Sequence, residues 1–175
     1  SGANLDLQDN NRPVPLLVAS IGGYFDIVKY LVDSGANLDI YNFDYQTPLL
    51  IASSKGYFDI VKYLVDSGAN VNVQDRNYKT PLFIASQKGY FDIVKYLVDS
   101  GAHKDTCDIH NESPLHVASK RGYFGIIKCL VSSGAGANIQ NRYHETPLFK
   151  ASEGGHLETV KYLVDWGVDL DTHDS

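Results

Sequence analysis

With 175 residues, 43% of them apolar and 21% charged, the chain has the composition of a folded, water-compatible protein and not of a disordered one. A formal charge of −6 and a pI near 5.4 argue against nucleic acid as a partner, since affinity for a polyanion rests on many cationic contacts. No apolar run reaches the roughly 18 residues a membrane-crossing helix needs. The two cysteines, Cys107 and Cys129, recur nowhere else in the pattern, so no disulfide framework is implied and a reducing interior, cytoplasmic or nuclear, is expected.

In chain order, residues 1–8 read as the tail of a unit whose front lies outside the sequence, so an excerpt of a longer protein is expected. Five full units follow with a period of 33 residues: 9–41, 42–74, 75–107, 108–140 and 141–173. Such a period signals stacked small units and not one globular core. Thr47-Pro48, Thr80-Pro81, Ser113-Pro114 and Thr146-Pro147 each predict the start of a first helix, with a hydroxyl N-cap and then a proline whose missing N–H costs nothing there. Val14 replaces the capping residue of the first unit, which predicts a loss of about 1 kcal/mol at that end. Behind the proline, Leu49, Ile51 and Ala52 predict the apolar stripe of that helix.

A second helix follows the glycines at 23, 56, 89, 122 and 155. In GYFDIVKYLVDSGAN, residues Gly56–Asn70, Phe58, Val61, Leu64 and Val65 fall on one face, and Asp59 is spaced to pair with Lys62. Glycines 35, 68, 101, 134 and 167 predict its end. An extended arm and a polar turn then lead to the next unit. Neither helix is stable alone, and stacking buries what one pair leaves exposed.

The segments TPLFIAS at Thr80–Ser86, SPLHVAS at Ser113–Ser119 and GYFDIVKYLVDSGANVN at Gly56–Asn72, repeated at 33 residues, resemble the ankyrin repeat family over essentially the whole chain. The resemblance implies an all-α solenoid of helix-turn-helix units joined by hairpin-like fingers, with a concave face of fingers and inner helices that binds a protein or peptide. It implies a non-catalytic scaffold without a cofactor, and a monomer is expected. It also implies that His116 helps hold the hydroxyl cap at Ser113. By the same resemblance Asn72 and Asn138, each eight residues after a leucine (Leu64 and Leu130), are candidate substrates of an asparaginyl hydroxylase.

The departures from that pattern locate the candidate site. At the finger tips, where the family favours glycine, stand Arg12, Tyr45, Tyr78, Asn111 and His144. A positive φ there would strain the tyrosines by about 1 kcal/mol or more; otherwise the turn type differs. While the second helices of the first three units hardly change, the finger and inner-helix ends change in every copy. The candidate contact residues are Phe43, Tyr45, Arg76, Tyr78, Lys79, Lys88, His110, Lys120, Arg121, Arg142 and Tyr143. Residues 76–128 hold eight basic and five acidic side chains in an otherwise acidic chain, which predicts a partner with acidic residues and an aromatic or apolar anchor. In the fifth unit Lys150 and Thr159 replace apolar residues. Two readings stand open for it: a terminal unit whose outer face meets water, or a place where a different neighbour docks.

His103, Cys107, His110 and His116 contain zinc-ligand residue types, but their spacing matches no zinc pattern, and neither a phosphate loop nor a nucleophile motif is present. The rival functional reading is a targeting or recruiting arm of a larger multidomain protein, a channel, kinase, ubiquitin-ligase subunit or infectious-agent effector, whose activity lies outside these residues.

Overall fold

A computed structural model describes residues 14–168. Ten α-helices and no strand occur among the described residues. They alternate between inner helices, which start at Pro15, Pro48, Pro81, Pro114 and Pro147, and outer helices, which start at Phe25, Phe58, Phe91, Phe124 and Leu157. Two compact units are distinguished, Ser1–Pro81 and Leu82–Ser175.

The first unit contains α1 (Pro15–Gly22), α2 (Phe25–Asp33), α3 (Pro48–Lys55) and α4 (Phe58–Asp66). α1 packs on α2 and α3, and α4 packs on α3 and α2. The Thr47 hydroxyl accepts the Leu50 N–H at 3.3 Å and so caps α3. Val14 makes no such cap, as its side chain requires. It is instead buried against Leu17 and Ile51, with Ile40 beside them, so apolar packing replaces the missing hydrogen bond. The first inner helix ends at Gly23, with φ of 71°, and a Cβ there would come within 2.7 Å of the Tyr57 ring. Glycine is therefore demanded both by conformation and by the close approach of the next outer helix.

Burial is wider than the stripes predicted. All of Pro48–Ser53 is buried, because α3 has neighbours on several sides. In α4 the buried residues are Ile60, Val61 and Leu64, while Phe58 and Val65 lie half-buried at the flanks. Lys62 reaches forward to Asp66 at 2.7 Å rather than back to Asp59. Nor are the arms simply extended. Asn37 and Asn70 accept the N–H groups of Asp39 and Asn72, each at 3.0 Å, and fold the start of each arm into a turn of its own. Asp39 Oδ1 accepts the Asn70 N–H at 3.1 Å and ties one arm to the next.

The second unit contains α5 (Pro81–Lys88, from its second residue), α6 (Phe91–Asp99), α7 (Pro114–Arg121), α8 (Phe124–Ser132), α9 (Pro147–Glu153) and α10 (Leu157–Asp165). α7 packs on α8 and α9, α8 on α6 and α10, and α9 on α10. At the start of α7 the capping is reciprocal. The Ser113 hydroxyl accepts the His116 N–H at 3.4 Å, and His116 Nδ1 accepts the Ser113 N–H at 3.1 Å. The other ring nitrogen, Nε2, then carries the proton and donates it to the Glu145 carbonyl at 3.0 Å. The ring is fully buried, and that burial pushes its pKa below the ordinary value.

The water-facing reading of the fifth unit fails at two residues. Lys150 is 5% exposed and Thr159 only 1%. Tyr143, Phe149, Leu157, Val164 and Trp166 are the exposed large apolar side chains among the described residues of that unit.

Candidate functional site

Each finger among the described residues is built around one Asn or Asp side chain. In residues 42–46 the Asn42 N–H donates to the Gln46 carbonyl at 3.1 Å and the Tyr45 N–H to the Asn42 carbonyl at 3.0 Å. Asn42 Oδ1 accepts the N–H groups of Asp44 at 2.9 Å and Gln46 at 3.0 Å. Asp75 does the same for Asn77 and Lys79, Asp108 for His110 and Glu112, and Asn141 for Tyr143 and Glu145. The turn closes through a residue in the left-handed region: φ is 57° at Tyr45, 59° at Tyr78, 57° at Asn111 and 60° at His144. Of the two alternatives open at the tips, a positive φ or a different turn type, the positive φ is the one adopted, at a strain of about 1 kcal/mol for each tyrosine. Arg12 lies outside the described residues.

In the first unit two adjacent fingers bring five of the expected residues together. Arg76 donates its N–H to the Asp44 carbonyl at 3.4 Å, and its guanidinium lies 3.9 Å from the Asp44 carboxylate and 5.5 Å from the centre of the Tyr45 ring. The other neighbour of Tyr45 is Tyr41, whose ring stacks on it at 5.2 Å and 13°. Phe43 and Tyr78 project from the same fingers and are 75% and 57% exposed. Lys79 is half-buried at the foot of the second finger. Arg and aromatic side chains held in this way lose little freedom when a partner arrives.

The second unit presents something different. An open depression of about 370 Å³ is lined by His110, Glu112, Lys120, Tyr143, Glu145 and Lys150. At its floor the buried Lys150 ammonium bonds to the Glu145 carboxylate and lies 3.4 Å from Glu153. Burial alone would lower the Lys150 pKa, but those two carboxylates hold it above its ordinary value. The hydrogen bond from Lys150 correspondingly holds Glu145 low. Asn141 Nδ2 donates to the same carboxylate at 2.7 Å. Beside the depression Arg142 donates to His110 Nδ1 at 2.8 Å and lies 5.5 Å from the Tyr143 ring centre. Lys120 reaches Glu153 at 4.0 Å.

Part of the basic enrichment has a structural origin. Lys88, Lys120 and Arg121 lie in the last turns of α5 and α7, as Lys55 does in α3, where positive charge complements the negative end of the helix dipole. Lys88, Lys120 and Arg121 are exposed. Of the residues considered as zinc ligands, His116 is occupied by the α7 cap and Cys107 Sγ donates to the Asp105 carbonyl at 3.3 Å. Burial pushes the Cys107 thiol above its ordinary pKa. Among the described residues no three His, Cys, Asp or Glu side chains converge as a metal site, and no helix is long and apolar enough to cross a membrane. Asn72 is half-buried in its turn and Asn138 is exposed.

A family model for ankyrin repeats, in three copies, matches residues 1–75 and 82–174. The chain belongs to the ankyrin repeat family. It therefore has the general architecture of an ankyrin protein-interaction scaffold, all-α and built from paired helices. No curated protein matches it by sequence. Within this ankyrin frame the expectation missed Asn42, Asp75, Asp108 and Asn141, the residues that shape the fingers. Their signal was present, an Asn or Asp at one position of every period, the type that bonds its own backbone two residues on. It also missed Tyr41, and it left Lys150 without a partner although Glu145 stands five residues earlier.

Proposed function

We propose that this ankyrin chain is a non-catalytic scaffold that binds a protein or peptide through its fingers and inner-helix ends. The observation that carries the reading is the group on the first two described fingers: Phe43, Tyr45, Tyr78 and Arg76, exposed together on turns pinned by Asn42 and Asp75. Exposed aromatics on a fixed backbone supply apolar contact area at small entropic cost, and Arg76 adds a cation that steers an acidic segment. The remaining contact residues, Lys79, Lys88, His110, Lys120, Arg121, Arg142 and Tyr143, extend that reading to both compact units. An intracellular setting agrees with the two free cysteines.

The test compares three proteins, each shown to be folded by circular dichroism, as baits for crosslinking capture from a eukaryotic lysate. The first is unaltered, the second carries F43S, Y45G, R76A and Y78G, and the third carries K29A and Y30A on the outer helix α2. A partner retained by the first and third and lost by the second supports the reading. Equal retention by all three, or loss only with the α2 variant, overturns it.

A further inference from the structure

We infer that the depression in the second unit is a subsite for one basic side chain of the partner, arginine foremost. The inference rests on the reading above that the finger surface receives a partner, and it gives that partner a feature the sequence did not suggest.

The site is preformed. Four of its lining residues hang from two buried anchors: Asp108 accepts the N–H groups of His110 at 2.8 Å and Glu112 at 3.1 Å, and Asn141 those of Tyr143 at 2.9 Å and Glu145 at 3.0 Å. Alternate residues of each finger therefore face one space, and little ordering is left for a ligand to impose. The floor is polar where the corresponding residues elsewhere are apolar, Ile51, Ile84 and Val117 buried and Val18 exposed. Lys150 is 5% exposed, and Glu145 answers its charge.

Matching the remaining charges shows which ligand fits. Lys150 is paired with Glu145 and Glu153, Lys120 lies near Glu153, and Arg142 donates to His110. Among the described residues Glu112 is the lining charge with no counter-charge within ion-pair distance. An entering anion would face the carboxylates of Glu112 and Glu145 while the nearby cations are already engaged. A guanidinium would instead complete the alternation of charge, donating to Glu112 with the Tyr143 ring and hydroxyl at hand. The acidic partner residues expected from the basic enrichment thus belong beside the exposed Arg76, Lys88 and Arg121, and not here.

The experiment is a ¹H–¹⁵N titration of the full chain with N-acetyl-arginine amide, and separately with N-acetyl-glutamate amide, repeated on the E112Q variant. Gln keeps the backbone bonds to Asp108 and removes only the charge, and the variant's unshifted spectrum outside the fingers reports that it is folded. Saturable shifts at Glu112, Tyr143 and Glu145 with the arginine probe, weakened about tenfold by E112Q, are expected, with no saturation by the glutamate probe. Tighter binding of the glutamate probe overturns the inference. So does arginine binding that is spread over the acidic surface, that E112Q leaves unchanged, or that never saturates. Because the probe is a single amino acid, this result is independent of the capture experiment, so a failure of the subsite and a failure of the scaffold reading are distinguishable.

Discussion

The fingers at 42–46 and 141–145 share a backbone and differ in what they present. Both are closed by an asparagine that accepts two N–H groups, and both hold a non-glycine residue at positive φ. The first displays Phe43 and a ring stack of Tyr41 on Tyr45; the second displays Tyr143 above the Glu145–Lys150 pair. The anchor residue fixes the shape of a finger, and the positions between are left to chemistry. A fold of this kind can change its partner without changing its frame.

The largest effect that would sharpen this comparison is loss of an anchor. Asn141→Ala removes a buried acceptor for two N–H groups and is expected to lower stability by about 2 kcal/mol in urea unfolding, with faster hydrogen exchange at Tyr143 and Glu145. Asp75→Ala, at a half-buried anchor, is expected to cost less. If the two cost the same, burial does not set the worth of the anchor.

Next comes the pair that distinguishes the second region. Lys150→Ile restores the residue type of Ile51 and Ile84 but strips Glu145 of its cation, at an expected loss of about 1–2 kcal/mol. Adding Glu145→Gln to it is expected to recover most of that loss, since an apolar floor with no charge above it is as good as a buried ion pair. Non-recovery in the double variant would show that the ion pair itself, and not the stranded carboxylate, is responsible.

A smaller gain is expected from Tyr78→Gly, which relieves the positive φ and stabilises by up to about 0.5 kcal/mol after the entropy of glycine is counted. Tyr45→Gly is expected to gain less because it sacrifices the contacts with Tyr41 and Arg76. The order of the two in thermal unfolding is the measurement.

The smallest effect is a pH dependence from His116. Its folded pKa lies below the ordinary 6.5, so the unfolded chain takes up the proton first. The stabilisation is complete above about pH 6.5 and declines as pH falls towards the folded value. His116→Gln preserves a Ser-x-x-Gln capping box and is expected to flatten that part of the stability profile. An unchanged slope between neutral and mildly acidic pH would remove His116 as its source.

Much of the helical frame was legible because its signals are local. A hydroxyl followed by proline, or a glycine at a fixed interval, acts within one turn of the chain, and Thr47, Ser113 and Thr146 cap as their residue types require. What escaped depends on neighbours far along the sequence. Val14 reads as a missing cap until Ile51 is seen beside it, and the tautomer of His116 is set by a carbonyl at Glu145. Lys150 reads as a surface residue until the burial of its row and the approach of Glu145 are known. The finger tips carried both outcomes, since a tyrosine at a turn is compatible with either sign of φ and the bonds to Asn42 and Asp75 decide between them.

The ring of Tyr57 over Gly23 has a genetic consequence. The same arrangement recurs with Tyr123 over Gly89 and His156 over Gly122, so in three periods the glycine that closes the inner helix is roofed by a ring from the next, while Gly155 has open space above it. A duplication or deletion of one whole period within that stretch, wherever its breakpoints fall, returns each roofed glycine to a roof of the same kind. One that is a residue too long or short sets a Cβ-bearing residue under the ring. Copy number along such a gene can drift freely, while reading within a copy stays locked in phase.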